Sequence, residues 1–189
     1  PWIHQNVLDT IKNIKSNMIA DIRDSGCNIC WDKEDRGFAS LRNHSNTIYE
    51  KYVDDIINGK TFDQPVVLDL RLGNLCNLKC RMCTSDWSSQ IADEILSNPE
   101  LEWDSIPSEK LTSVSDNTWE LLDNWIGRVE RVFMTGGEPT IIKKNLDYIQ
   151  KIIQTGRGKD IELIFTTNAT NVNREFLRLA ENFKSVHFA

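Results

Sequence analysis

The chain has 189 residues, 40% of them hydrophobic and 26% charged, with 22 Lys and Arg against 28 Asp and Glu for a net charge of -6. That length suits one core with little room for a second full domain, and the composition excludes a collagen, a coiled coil and a disordered tail. The acidic balance, with no basic run longer than Lys143-Lys144, leaves no footprint for a nucleic-acid backbone, and no apolar stretch approaches the ~20 residues that cross a bilayer. Pro1-Trp2-Ile3-His4 runs into polar sequence within a few residues, so no signal peptide is read and a cytoplasmic location is expected.

In chain order, Val7, Leu8, Ile11, Ile14, Met18, Ile19 and Ile22 recur at spacings of three and four, which predicts an amphipathic helix over residues 5–24 with Gly26 as its stop. Residues 27–46 are charged, are broken by Gly37, Ser40 and Asn43, and read as a loop or short helix around a cysteine pair. A second helix is expected over 47–58, ended by Gly59. The period then changes: residues 65–72 form a β-type run with a Pro start and a Gly73 exit into a cysteine-rich loop. Beyond it, 85–96 reads as helix, 99–115 as an irregular connection, and 118–126 as a helix that Asn117 or Asp116 caps. Strands are expected at 131–135, 161–167 and 185–189, and helices at 145–155 and 173–182. This alternation predicts a parallel α/β sheet with right-handed crossovers. The final strand-like run stops at Ala189, so further units of the barrel or open sheet are expected beyond it.

All five cysteines fall in two groups, Cys27-Asn28-Ile29-Cys30 and Cys76-Asn77-Leu78-Lys79-Cys80-Arg81-Met82-Cys83. An odd count packed this closely, with no secretory signal read, favours thiolate ligands or redox thiols over a disulfide framework. Cys76, Cys80 and Cys83 form C-x3-C-x2-C, which differs from the paired units of zinc ribbons and from the run of bacterial ferredoxins. On a four-iron cubane, three thiolates leave the fourth iron open to a ligand that is not protein. Zinc with a fourth ligand from elsewhere and unligated core cysteines are the plainer readings, and none of His4, His44 and His187 stands at finger-like spacing. Cys27 and Cys30 follow a helix and its glycine, which suits a metal half-site, with redox or structural thiols as the alternative.

Parallel α/β proteins carry their sites at the carboxyl ends of the strands. The cysteine triplet follows the first predicted strand, Gly136-Gly137-Glu138-Pro139 the second, and Thr166-Thr167-Asn168-Ala169-Thr170 the third, so all three loops are expected to face one mouth.

Over residues 66–189, these two motifs in this order resemble the radical S-adenosylmethionine (SAM) superfamily. The resemblance implies a partial (β/α) barrel of parallel strands and a [4Fe-4S] cluster held by Cys76, Cys80 and Cys83, whose open iron is chelated by SAM. It further implies reductive cleavage of SAM to a 5'-deoxyadenosyl radical that abstracts hydrogen from a substrate, with the hard chemistry carried by the cofactor. The turn of Gly136, Gly137, Glu138 and Pro139 would hold the methionyl amino group, its glycines letting the backbone approach the ligand and Glu138 or a nearby carbonyl accepting from the ammonium. Taken alone, that turn would be read as an ordinary one. Asn77, Lys79 and Arg81 place amide and cationic groups beside the cluster, unless the two cations are solvent-facing loop charge. Met82 stands where many members have an aromatic residue against the adenine. Thr167 and Asn168 resemble a Thr-Asn-Gly stretch, with Ala169 in place of the glycine, and are candidate SAM or substrate contacts.

The first 65 residues refine the expectation to a helical, cysteine-containing segment, 1–65, ahead of a radical SAM core, 66–189. Pro1-Trp2-Ile3-His4, Cys27 to Trp31, Glu34, Gly37, Ser40, Leu41 and Arg42 resemble the start of radical SAM proteins with a twitch domain, a shortened SPASM relative. That implies an auxiliary iron-sulfur cluster with Cys27 and Cys30 among its ligands. A hairpin with further cysteines, expected between His4 and Gln5 in such relatives, is not in the sequence, so half of that ligand set is present. The resemblance also implies an electron donor such as flavodoxin or ferredoxin and an unidentified substrate, a peptide, protein or sugar. A non-catalytic zinc module and a simple electron carrier are the alternatives.

Overall fold

A change of hydrophobic period, from three-to-four to two, marks where the chain changes architecture. The protein is described by a computed structural model over residues 5–60, 64–100, 116–172 and 174–189. It divides into two units, Pro1–Asp63 and Gln64–Ala189.

The first unit is helical: α1 (Gln5–Ile19), α2 (Asn28–Asp35), α3 (Leu41–Ile48) and α4 (Val53–Ile57), with 3-10 turns at Ser25–Cys27 and Glu50–Tyr52. The predicted helix over 5–24 stops earlier because the chain turns left-handed at Asp21 (φ 56), with the Ile22 N–H closing onto the Asn17 carbonyl at 2.8 Å. Gly26 is therefore not its stop. It lies in the 3-10 turn, where the Asp24 carboxylate accepts from its N–H at 2.9 Å. The helix expected over 47–58 is split by the turn at Glu50–Tyr52, and α3 starts well before it because Ser40 and Asn43 form a reciprocal capping box. Gly59, at φ 80, does follow the end of α4. Among the described residues of this unit only Ser40 is buried, so polar contacts organise it. The guanidinium groups of Arg42 (4.3 Å) and Arg23 (5.2 Å) lie over the Trp31 ring, Arg23 pairs with Asp35 at 2.7 Å, and Arg42 pairs with Glu34. The hydrogen bonds from Arg42 and Ser40 hold the Glu34 carboxyl below its ordinary value.

The second unit is built on a parallel sheet of β1 (Val67–Leu70), β2 (Arg131–Met134), β3 (Glu162–Phe165) and β4 (Ser185–Phe188), lying side by side in sequence order. Val67, Arg131, Glu162 and Ser185 are in register at one end, and Leu70, Met134, Phe165 and Phe188 at the other. Helices α5 (Ser89–Ser97), α6 (Asp116–Trp125), α7 (Lys143–Gln154) and α8 (Arg174–Ala180) intervene. This is an α/β fold. Period-two alternation buries Leu68, Leu70, Val132, Met134, Leu163 and Phe165 on one face, against Leu122, Tyr148, Ile149, Ile152 and Phe176 from the helices. Each such aliphatic or aromatic side chain contributes roughly 1.5–3 kcal/mol by leaving water. The Tyr148 hydroxyl, carried in with its ring, donates to the Leu122 carbonyl at 3.1 Å. On the opposite face Asp69 and His187 are exposed, Phe133 and Ile164 are half-buried, and Arg131 pairs with Glu162.

Every strand is shorter than expected; β1 and β2 leave the ladder after one more bond each, Thr135 N–H to the Leu70 carbonyl at 3.0 Å and Thr166 N–H to that of Met134 at 3.1 Å. Helix α5 starts at Ser89 rather than 85, since the Trp87 and Ser88 N–H groups turn back onto the Thr84 carbonyl and Ser88 supplies the cap. Asp116 and Asn117, expected as caps, lie within α6, and the residue before it falls outside the described residues, as does 101–115 of the predicted connection.

Candidate metal centre and cofactor site

The first strand delivers its chain into a loop of residues 71–88 that carries the cysteine triplet, and the loop is anchored at its buried ends. The Ser89 N–H donates to the Asn74 carbonyl at 2.8 Å, and the Cys76 N–H donates to the Ser89 hydroxyl at 3.2 Å. The buried Ser88 hydroxyl donates to the Leu78 carbonyl at 2.8 Å. Cys83 closes a turn onto the Cys80 carbonyl at 2.9 Å. Cys76 is buried, Cys83 intermediate and Cys80 exposed, and all three are free thiols. Lys79 is drawn to Glu94 of α5 at 3.2 Å, and Met82 is 94% exposed, so its side chain does nothing to pack the loop.

The turn after β2 is pressed against that loop. The Gly137 N–H donates to the Gly73 carbonyl at 3.3 Å, and the Glu138 N–H to that of Leu75 at 2.8 Å. A Cβ on Gly137 would lie 2.2 Å from the Leu75 carbonyl oxygen and 2.6 Å from the Asn74 carbonyl carbon; one on Gly136, where φ is 108, would lie 2.6 Å from the Gly73 oxygen. In the fold these glycines make room for the backbone that leads into Cys76.

Glu138 is 1% exposed, and its carboxylate is taken up inside the protein. Oε1 accepts from the Thr140 N–H (3.1 Å), the Thr140 hydroxyl (2.5 Å) and the Thr167 hydroxyl (2.6 Å), while Oε2 accepts from the Asn168 N–H (2.8 Å). Through these bonds the side chain joins the second loop to the third. Pro139 is buried, and its carbonyl accepts from the side-chain amide of the buried Asn145 at 3.0 Å.

After β3, Thr167 and Asn168 are half-buried and reach both neighbouring loops, Asn168 donating from its amide to Asn77 Oδ1 at 3.0 Å. Ala169 sits at φ 56, a left-handed conformation that an L side chain adopts at a cost. Ala169→Gly is expected to raise stability by about 0.5–1 kcal/mol, read as a shift of the urea midpoint at unchanged slope.

The structure thus brings Gly136, Gly137, Glu138, Pro139, Thr167 and Asn168 together around the loop of Cys76, Cys80, Met82 and Cys83. Cys27 and Cys30 lie in the first unit, half-buried and free, at the N-cap and in the first turn of α2. The pair therefore begins a helix as well as following one. Thr140 and Asn145 went unnoticed; the one sequence signal for Thr140 is its place directly after the Gly-Gly-Glu-Pro turn.

Among the described residues no group of three or more His, Cys, Asp or Glu side chains stands where it could hold a metal ion. A cubane binds each thiolate at a different corner, so it asks for three thiols on one loop, not for a common point. Three undisulfided thiols beside a closely packed glycine turn fit that requirement.

The thiol-bearing loop and the glycine turn both stand at the carboxyl edge of one parallel sheet, the edge at which α/β proteins commonly bind their ligands. Residues 70–189 match the radical SAM superfamily, and the chain belongs to that superfamily, whose members typically use a [4Fe-4S] cluster and SAM. No curated protein and no solved structure matches the chain. No described helix is long and apolar enough to cross a membrane.

Proposed function

We propose that the chain is the core of a radical SAM enzyme in which Cys76, Cys80 and Cys83 hold three irons of a [4Fe-4S] cluster and leave the fourth to SAM. The observation that carries this is the direct packing of the Gly136-Gly137 backbone against residues 73–75, which sets the SAM-type turn beside the first cysteine. When bound, cluster and SAM supply reductive cleavage of the sulfonium C–S bond, giving a 5'-deoxyadenosyl radical for hydrogen abstraction.

The chain's own part is to bind and orient. With the Glu138 carboxylate engaged, the carbonyls of the Gly136 to Pro139 turn are left to accept from the methionyl ammonium. Thr167 and Asn168 border the same mouth, and the exposed Met82 is free to lie on the adenine as a soft apolar contact. The sheet face of Asp69, Phe133, Ile164 and His187, open among the described residues, suits the inner wall of a partial barrel over residues 66–189. Residues 1–65 form a twitch-like segment whose Cys27 and Cys30 serve an auxiliary iron-sulfur cluster. The reaction runs in the cytoplasm, takes its electron from a flavodoxin- or ferredoxin-type donor and acts on a peptide, protein or sugar.

Anaerobic reconstitution tests the reading. The protein is expected to turn brown and to release 5'-deoxyadenosine from SAM with a strong reductant, whereas Cys80→Ala falls to background. A colourless zinc protein, or a brown one that leaves SAM intact, overturns it. About four irons and four sulfides per full-length chain would remove the auxiliary cluster and leave the main one.

A further inference from the structure

The cysteine loop is held at residues 73–75 by the turn after β2, and beyond them by the start of α5. Cys76 is fixed to Ser89, and Leu78 to Ser88, both at the start of α5. The residue directly after the first cysteine reaches from this loop to the one after β3. Asn77 Oδ1 accepts from Asn168 Nδ2 at 3.0 Å, and Asn77 Nδ2 donates to the Thr170 hydroxyl at 2.7 Å. The ring closes where that hydroxyl donates to Asn168 Oδ1, also at 2.7 Å.

The direction of each bond follows from one fixed donor. The Thr170 backbone N–H donates to Asn168 Oδ1 at 3.0 Å, so the oxygen of that amide faces Thr170 and its NH2 faces Asn77. Asn77 must then present its own oxygen to Asn168 and its NH2 to Thr170. Asn168 is in turn tied through its backbone N–H to Glu138, so the ring extends the Glu138 clamp to the loop that carries the thiols.

Asn77 and Thr170 are exposed and Asn168 half-buried, so these bonds compete with water and each adds little to global stability. What a closed ring at such a place does instead is restrict local opening of the two loops it joins.

We infer that Asn77 is a positioning residue: acting through Asn168 and Thr170, it holds the β3 loop at a set distance from the cysteine loop, so that the mouth is preformed before any cofactor enters. The consequence for SAM rests on the function proposed above; the consequence for the loops does not. A preset mouth lowers the ordering cost of binding, so the loss of Asn77 should weaken SAM binding and spare the chemical step.

Amide hydrogen exchange on the cofactor-free protein reads the latch itself. Asn77→Ala and Thr170→Val are each expected to speed exchange across residues 76–83 and 167–170 by about fivefold to tenfold, with the global unfolding midpoint unchanged. The double variant should be no faster than either single one, since both break the same ring. Thr170→Ser keeps the hydroxyl and should behave as wild type. In reconstituted protein, the KM for SAM should rise by a similar factor, with kcat and the iron and sulfide content retained.

Unaltered exchange in both single variants, fully additive effects, or a Thr170→Ser variant as fast as Thr170→Val would overturn the latch. If wild type fails to cleave SAM while exchange responds as described, the cofactor reading falls and the latch stands. Cleavage by wild type with no exchange response gives the reverse.

Discussion

Replacing Gly137 with alanine is expected to destabilise the second unit by more than about 3 kcal/mol, beyond the usual cost of overpacking a core. The reason lies in what the new methyl group meets. It would stand 2.2 Å from the Leu75 carbonyl oxygen, 2.6 Å from the Asn74 carbonyl carbon and 2.7 Å from that of Leu75, all of them backbone atoms. A flexible side chain could swing aside, but here the whole segment must move. That segment is also tied to the turn through the hydrogen bonds of Gly137 with Gly73 and of Glu138 with Leu75. Relief therefore requires the cysteine loop to lift from the turn, which would expose the buried Cys76 thiol. Urea unfolding of the cofactor-free variant, together with the rate at which a thiol reagent labels Cys76, measures both effects. Gly127→Ala is the control, because a Cβ there meets nothing within 4 Å; it should fall within about 0.5 kcal/mol of wild type. A Gly137→Ala variant as stable as that control would mean that the turn and the loop do not pack as described.

How far the sequence carried depends on the range of the interaction that fixes each feature. The four parallel strands were legible because each is a short β-type run, with burial alternating along the first three, a pattern carried by neighbouring residues alone. The C-terminal end of α1 was not, since its stop is a left-handed aspartate at Asp21 where a glycine was expected, and an Asp in that conformation leaves no signal in composition. The capping box of Ser40 and Asn43 was present as residue types, yet it was read as punctuation within a loop or short helix and not as the start of α3. At the site, the three loops were expected at one mouth from strand order alone. What holds them together was not readable. Glu138 finds partners two residues away at Thr140 and about thirty residues away at Thr167 and Asn168, while Asn77 reaches more than ninety residues to Thr170. No periodicity records such a distance. The same holds for the glycines: their need for a missing Cβ was clear, but only the fold shows that the chain's own backbone fills the space.

Glu138→Gln is expected to lower the stability of the cofactor-free protein by about 1–3 kcal/mol, although it changes neither the size nor the shape of the side chain. Each carboxylate oxygen faces a backbone N–H that cannot turn away, Oε1 that of Thr140 at 3.1 Å and Oε2 that of Asn168 at 2.8 Å. A glutamine has one oxygen for these two donors. With its NH2 toward Asn168, it leaves that N–H against another donor. Turned the other way, it meets the Thr140 N–H, and the hydroxyls of Thr140 and Thr167 must rotate to become acceptors. Glu138→Ala abandons both N–H groups and both hydroxyls and should cost more, upwards of about 3 kcal/mol. If the carboxylate instead served a bound ammonium, removal of its charge would raise the KM for SAM and leave the cofactor-free protein as stable as wild type. The two accounts therefore separate before any cofactor is added. Urea unfolding of the two variants, with amide exchange at Asn168 as the local probe, decides between them. Wild-type stability in Glu138→Gln with unchanged exchange at Asn168 would return the side chain to ligand binding.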